Sequence, residues 1–490
     1  MYDIILSVLI IFCSIILFYL SWRLFLRNKI TYSIVLVILG GLVLRIYTSF
    51  DFYLHEWDER YHALVAKNLI KHPFKPTLYD NPVLPYDYKN WTANHIWLHK
   101  QPMPLWIMAL SMWLFGINEI ALRLPSILVS SLAIYLTFYI GTYLFNIKVG
   151  YLSSLLFAIN GLIIELTAGR VATDHIDIFF LFFIELAIYF NILYLRNQKP
   201  LYLIIAGISI GSAILTKWLI ALIIFPIWFL LALDSNKYNF KQIFVQIFIL
   251  LLVCIIVFIP WQIYTYIKYP KEFIYEMLFN LKHFTEVLEE RTGSIFYYLN
   301  KIRINYGEII YLPILYFLRK LYDNINDKKR VAIFVWIFIP IIIFSFAKTK
   351  MQGFILFTSP ALFMITSEFF FDIFYLNKKY NIKRVLSLIQ ILIIILPFRY
   401  MIERIKPFNT NRNPKWVKEL KRINYTNGIL FNYEKPIEAM FYTNLIVYSH
   451  IPDKLTIKKL ISEGYSVFLY DNENLPNEIK SIKEIRIIKF

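Results

Sequence analysis

Residues 169–195 read GRVATDHIDIFFLFFIELAIYFNILYL. A charged mouth, with Arg170, Asp174, His175 and Asp177, opens onto about twenty mostly apolar residues, the length a helix needs to cross a bilayer core. Working outward, comparable runs lie near 4–26, 31–49, 119–145, 150–168, 201–216, 218–233, 243–262, 306–319, 331–346, 354–375 and 385–401. With the opening stretch they make about twelve candidate spans. The composition agrees: 58% of the 490 residues are hydrophobic and 17% are charged, where soluble domains are nearer half apolar and a quarter charged. A soluble globular chain and a disordered one are both excluded. Cys13 and Cys254 lie in apolar runs and give neither a disulfide framework nor a cysteine-based zinc site.

The net charge of +18 is read first as topology. The first run has no basic residue before it and is followed by Arg23, Arg27 and Lys29, so it reads as a retained helix with its N-terminus outside. Alternating from there gives inner loops that are short and basic: Arg27/Lys29, Lys148, Arg196/Lys199, Lys237/Lys241, residues 319–330 and residues 378–384. The positive-inside rule expects this pattern, and nucleic-acid binding needs no separate appeal. No fixed-period repeat or low-complexity tract is seen. The outer side receives residues 50–118, 263–305, the turns at Lys217 and 347–353, and the tail from about 402. Within the first loop, PMPLWIMALSMWLFG (102–116) is short for a span and suits a helix lying in the membrane interface. In the tail, GILFNY, TNLIVYSH, GYSVFLYD and IRIIKF read as four short strands, with LTIKKLISEG helical between two of them. The expected architecture is a membrane domain over 1–401 and a small extracytoplasmic α/β domain over 402–490.

Ionisable residues within or at the mouth of a bundle are functional candidates by default. Here Asp58, Glu59, Arg60, His99, Lys100, Arg170, Asp174, Lys217, His283, Lys348 and Lys350 all fall on the expected outer face; Asp177 lies a turn further in and is the lesser candidate. A carboxylate serves as general base toward an acceptor. Lys and Arg hold a phosphate as it leaves. Such a site has no access to cytoplasmic nucleotide-sugars, and a polyprenyl-phosphate donor fits. Plainer readings stand beside this one. Asp58, Glu59 and Arg60 also suit the first turn of a helix. Asp174 also suits a helix cap, the lysines suit snorkelling anchors, and the histidines suit ordinary loops.

Several segments resemble a known family in the same order. They are WDERYHALVAKNLI (57–70), LHKQPMPLWIMALSMWLFGINEIALRLPS (98–126), GRVATDHIDIFFLFF (169–183), ILTKWLIAL (214–222), FIPWQIY (258–264) and FSFAKTKMQGFIL (344–356). Together they resemble the GT-C membrane glycosyltransferases over roughly residues 30–376. The resemblance is closest to the lipid A aminoarabinose transferases and the bacterial protein O-mannosyltransferase-like enzymes. It implies an all-α polytopic membrane fold and transfer of a hexosyl or pentosyl group from an undecaprenyl-type phosphate to a lipid, protein or glycan. It places Asp58 at the reaction centre with Glu59 beside it, and Asp174 as a second acid. It implies donor-phosphate contacts from Lys100, Arg60, Lys217, Lys348 and Lys350. It also implies a divalent metal, zinc by ligand type, at His283 and the residue before the loop lysine, here His99. Gln101, Trp218 and Phe354 depart from the family's pattern around the donor. A transporter or flippase of a lipid-linked or anionic substrate is the rival reading, and a non-catalytic assembly subunit a second. The expected location is the inner or plasma membrane.

Overall fold

The computed structural model describes residues 2–380, 383–406, 411–423, 425, 428–471 and 484–489. The chain divides into two compact units. One comprises Met1–Ser49, Arg123–Pro270 and Glu276–Phe408; the other comprises Phe50–Leu122, Lys271–Tyr275 and Asn409–Phe490.

The first unit is a helical bundle. Among the described residues, nine helices are long and apolar enough to cross a membrane, and Ile147–Ala158 with Gly161–Thr167, bent by 53°, makes a tenth. Two places account for the step from about twelve to ten, and at the first the reversal expected after Lys217 is present. Residues 201–216 and 218–233 fall in one stretch, Pro200–Asp234. That stretch folds back on itself. Lys217, at its middle, reaches Asp177 near the start of the Asp174–Asn197 helix. Beyond it, Trp228 packs on Tyr194, and Lys237 Nζ donates to the Leu195 carbonyl at 2.8 Å, both near that helix's end. A straight helix of this length would run about 50 Å and could not return to its neighbour's end. The reversal is a 3-10 turn, Trp218–Ile223.

The second difference is at 306–319, which is no single helix. Tyr297–Tyr306 and Tyr311–Asp323 flank a short 3-10 turn, Glu308–Ile310. Gly307, at φ +101°, makes the break, a conformation that suits glycine. The pieces still run along the Ser359–Tyr380 helix: Tyr306 Oη meets Ser359 Oγ at 2.5 Å, and Lys320 meets Glu368 at 3.0 Å. The apolar core between these helices is continuous, from Val37 and Ile134 through Phe157, Ile184 and Ile210 to Trp336 and Leu362.

The two ends of the bundle differ. At one end the basic residues expected as plain anchors are paired with acids. Arg330 holds Glu368 at 2.5 Å and Asp327 at 3.2 Å, Lys320 bridges Glu368 and Asp372, and Lys329 lies 3.8 Å from Asp234. Lys378 and Lys379 carry no described side chains. The opposite end carries Asp174, Asp177, Lys217, His283, Lys348 and Lys350.

The second unit joins the first loop to the tail. Sequence reading put them in separate domains, but their side chains interlock. Strands β1 (Gly428–Phe431), β2 (Ile446–Val447), β3 (Ser466–Tyr470) and β4 (Arg486–Ile488) form a parallel sheet in the order β2-β1-β3-β4. The four expected strands and the expected helix, Lys454–Ser462, are present, although β2 is reduced to two residues. Helix Asp58–Lys71 of the loop sends Lys67 into the end of the Pro436–Tyr442 helix. There its ammonium donates to the carbonyls of Met440, Phe441 and Thr443 at 2.7, 3.0 and 2.7 Å. A cation on the orphan carbonyls of a helix C-terminus is favourable. Tyr79 Oη donates to the Val447 carbonyl at 3.0 Å, so the loop covers the sheet edge at β2. Tyr448 Oη accepts from the backbone N–H groups of Val83 and Leu84. The interfacial helix is present as Pro102–Phe115, with Leu110, Trp113, Leu114 and Phe115 exposed.

Candidate functional site

In the second unit, Asp58 and Glu59 open the Asp58–Lys71 helix, where acids oppose the positive end of the helix dipole. The two acids face different partners. Glu59 is fully buried; its carboxylate meets His55 Nδ1 at 2.6 Å and accepts from the His55 backbone N–H at 2.7 Å. His55 Nε2 in turn lies 3.2 Å from Asp51, beside which stands Arg412 at 3.8 Å. Glu59 thus belongs to a buried network that fixes the start of the helix. Asp58 is part-exposed, and its carboxylate lies 3.7 Å from Lys100 Nζ. Lys100 is returned to this helix by pairing within the loop. Trp97 N–H bonds to the Pro76 carbonyl at 2.9 Å and Leu78 N–H to the His95 carbonyl at 3.0 Å; the Pro102–Phe115 helix then begins two residues after Lys100.

Arg60 was expected on the donor phosphate. Its guanidinium instead lies 3.2 Å from Glu438 and over the ring of Tyr61. Burial opposes its charge, but the Glu438 carboxylate outweighs burial and raises its pKa. Its cation is thus paired with a carboxylate in this structure.

In the first unit, the Asp174–Asn197 helix begins from two left-handed residues, Thr173 at φ +67° and Asp174 at φ +25°. Strain of this kind in non-glycine residues gathers at functional sites. Asp174 is fully buried. One turn on, Asp177 accepts from the Thr173 hydroxyl and from Lys217 Nζ, and Lys217 also donates to the Gly353 carbonyl at 3.3 Å. Lys217, expected on the donor phosphate, is instead paired with a carboxylate, that of the lesser candidate Asp177. The signal was present: Asp177 follows Asp174 by three residues, on the same helix face. Gly353 leaves room for this cluster. A Cβ at that position would sit 2.0 Å from Asp177 Oδ2 and 2.6 Å from Thr173 Oγ1.

The turn carrying Lys348 and Lys350 is pinned along residues 283–291. Lys348 N–H bonds to the Phe284 carbonyl at 3.2 Å, Thr349 N–H to His283 at 3.0 Å and Lys350 N–H to Arg291 at 2.9 Å. The two lysines separate. Lys348 is exposed. Lys350 is buried, its ammonium on the carbonyls of Ser345 and Ala347 at 2.7 and 2.6 Å, so it caps the Lys328–Phe346 helix. Burial, then Lys348, lowers its pKa. That occupation is at odds with a phosphate-binding role.

The two histidines expected at a metal belong to different units. His99 lies flat on Trp91, centroids 4.3 Å apart, in the second unit. His283 belongs to the first unit, with Nδ1 3.2 Å from the Phe279 carbonyl. Among the described residues no group of three or more His, Cys, Asp or Glu is placed to hold a metal ion.

Residues 99–264 match the dolichyl-phosphate-mannose-protein mannosyltransferase family. An uncharacterized protein of Aquifex aeolicus is 25% identical over 318 residues, 64% of this chain, and the chain spans 58% of that relative's length. An undecaprenyl phosphate-alpha-4-amino-4-deoxy-L-arabinose arabinosyl transferase of Pseudomonas fluorescens is 24% identical over 190 residues, 37% of this chain and 32% of its own. The crystal structure of ArnT from Cupriavidus metallidurans bound to undecaprenyl phosphate superposes with a TM-score of 0.61 at 14% identity, covering 88% of this chain and 87% of that one. The Lys100 loop, the Asp174 helix and the Lys217 turn all fall within the matched segment. The chain is therefore a polytopic membrane protein of the GT-C fold, similar to the 4-amino-4-deoxy-L-arabinose arabinosyl transferases and the protein mannosyltransferases.

Proposed function

We propose that this protein transfers a sugar from a polyprenyl-phosphate donor to a lipid, protein or glycan acceptor, at the extracytoplasmic face of the plasma membrane. The observation that carries the reading is the Asp58–Lys100 pair, 3.7 Å apart. It is followed directly by a helix whose exposed Trp113, Leu114 and Phe115 suit the bilayer interface. A lipid phosphate arriving there exchanges with Asp58 for the Lys100 ammonium, and Asp58 is released to act as base.

The acceptor oxygen or nitrogen attacks the anomeric carbon as the bond from that carbon to the phosphate oxygen breaks. Polyprenyl phosphate leaves with its negative charge held by Lys100, and the acceptor's proton goes to Asp58. Direct attack inverts the anomeric centre. Within the bundle, the Asp177–Lys217 pair fixes the start of the helix that carries Asp174. Glu59 serves by fixing Asp58's helix. A phosphate acceptor needs no base, and Asp58 then stabilises positive charge on the sugar. No step is assigned to a metal.

The test is turnover of labelled undecaprenyl-phosphate sugars, hexosyl and pentosyl, by the reconstituted chain. Asp58→Ala and Lys100→Ala should each lower kcat/KM by about 10²–10⁴; normal turnover by either folded variant would sink the assignment. Cysteines introduced at Asn90 and Lys348, with Cys13 and Cys254 replaced, should react with an impermeant reagent from outside only. Labelling from the cytoplasm alone would overturn the orientation.

A further inference from the structure

A cavity of about 500 Å³ lies within the second unit, between the first loop and the tail. The site residues described above do not account for it, apart from Arg60 on its wall. One side is a pair of stacked rings, Tyr79 and Tyr448, with centroids 5.0 Å apart and planes within 16°. Their hydroxyls already bond to backbone, so their rings are what they contribute to the wall. Tyr86 adds a half-exposed ring at 45% exposure. Around the mouth stand exposed Asp87, Asn90, Glu434, Ser449 and His450.

The charge balance narrows the ligand. Arg60 is neutralised by Glu438, which leaves the carboxylates of Asp87 and Glu434 at the rim. A phosphate or other anion is therefore disfavoured. Aromatic rings beside short polar side chains, with a net negative rim, suit a molecule with apolar C–H faces and many hydroxyls.

We propose that this cavity binds a neutral or amine-bearing saccharide unit of the acceptor, an assignment that rests on the transferase reading above. It holds the acceptor through Tyr86 stacking, through hydrogen bonds that the saccharide's hydroxyl or ammonium groups donate to Asp87 and Glu434, and through the side-chain amide of Asn90. Because the walls come from both the loop and the tail, acceptor choice is set by residues that lie outside the membrane-spanning segments.

The test uses the full chain in detergent micelles and saturation-transfer NMR. The probes are chitotriose, the glucosamine trimer, trigalacturonic acid and inorganic phosphate. The first two should bind; trigalacturonic acid should bind, and phosphate should displace them, at least about tenfold more weakly. Tyr86→Ala and the double variant Asp87→Asn/Glu434→Gln, all at exposed positions, should each lose about tenfold in affinity. Binding of neither chitotriose nor the glucosamine trimer, or binding that survives both sets of substitutions, overturns the proposal. Displacement of the trisaccharide by an undecaprenyl-phosphate sugar would assign the cavity to the donor and overturn the acceptor assignment. Binding of undecaprenyl phosphate by the same preparation is scored separately. Protein that binds the lipid and no trisaccharide loses the cavity proposal alone. Protein that binds a trisaccharide through Tyr86 and no lipid keeps the cavity and loses the donor class.

Discussion

Lys217 donates both to Asp177, one helical turn past Asp174, and to the carbonyl of Gly353, so three separate segments of the bundle meet at one ammonium. Asp177 is almost fully buried and Lys217 largely so. Removing either partner strands the other charge, at a cost of about 3–5 kcal/mol. Asp177→Asn and Lys217→Met should each lower the melting temperature in detergent and reduce transfer. The double variant should recover much of the stability, because the two effects are coupled. Additive losses would show that the pair does not act as a unit.

Gly353→Ala places a methyl group 2.0 Å from Asp177 Oδ2. Either the carboxylate or the turn must move. Displacement of about 1 Å near reacting groups costs on the order of a hundredfold in rate. The variant should lose that much kcat while still binding undecaprenyl phosphate. An unchanged kcat would place the Asp177 end of the bundle away from the chemistry.

The two lysines of the late turn should behave differently. Lys348→Met should raise the donor KM by about tenfold through loss of one charge-assisted contact, with little change in stability. Lys350→Met removes the cap on the carbonyls of Ser345 and Ala347 and should cost about 1–3 kcal/mol in stability. Paired KM and unfolding measurements distinguish them, and the opposite pattern would reverse the assignment.

Burial, aided by Lys71, lowers the Lys67 ammonium to about 8 from its ordinary 10.5. Below about 8 the folded and unfolded chains both hold this proton. Between about 8 and 10.5 the unfolded chain holds a proton that the folded one has released. Stability should therefore rise with pH across that window. Lys67→Met should flatten the rise relative to wild type in thermal unfolding at matched pH values, while lowering stability by loss of the three carbonyl contacts. A slope unchanged by the substitution would rule out Lys67 as its source.

Much of the bundle was legible because each apolar run is long and each break carries its own punctuation, as at Lys217-Trp218. Gly307 was passed over inside 306–319, since a run of apolar residues reads the same whether it makes one helix or two short ones. The tail's strands were legible from alternation and turns. Pairings across long separations were not. Arg60 and Glu438 lie 378 residues apart, and no local pattern tells an arginine whether a phosphate or a carboxylate awaits it. Lys348 and Lys350 look equivalent in sequence, yet one faces solvent and the other closes a helix, because a two-residue step in a turn reverses direction. Asp177 was underrated for a related reason: depth in an apolar helix reads as a cost until its lysine is seen.

The Lys67 anchor also sets a schedule. Its partner Met440 follows it by 373 residues. At synthesis rates of about 5–20 residues per second the loop waits roughly 20–75 s for the segment that completes its fold. Throughout that interval the bundle's helices are being laid into the membrane, while Lys67 and Tyr79 stand without the carbonyls they will bond. The Asp58–Lys100 pair sits on this same late-maturing unit, so under the proposed mechanism its surroundings are complete only after residues 436–447 have been made. A chain truncated before residue 428 should therefore carry the bundle's helices and show little transfer in the reconstituted assay, and full transfer by it would separate the tail from the reaction.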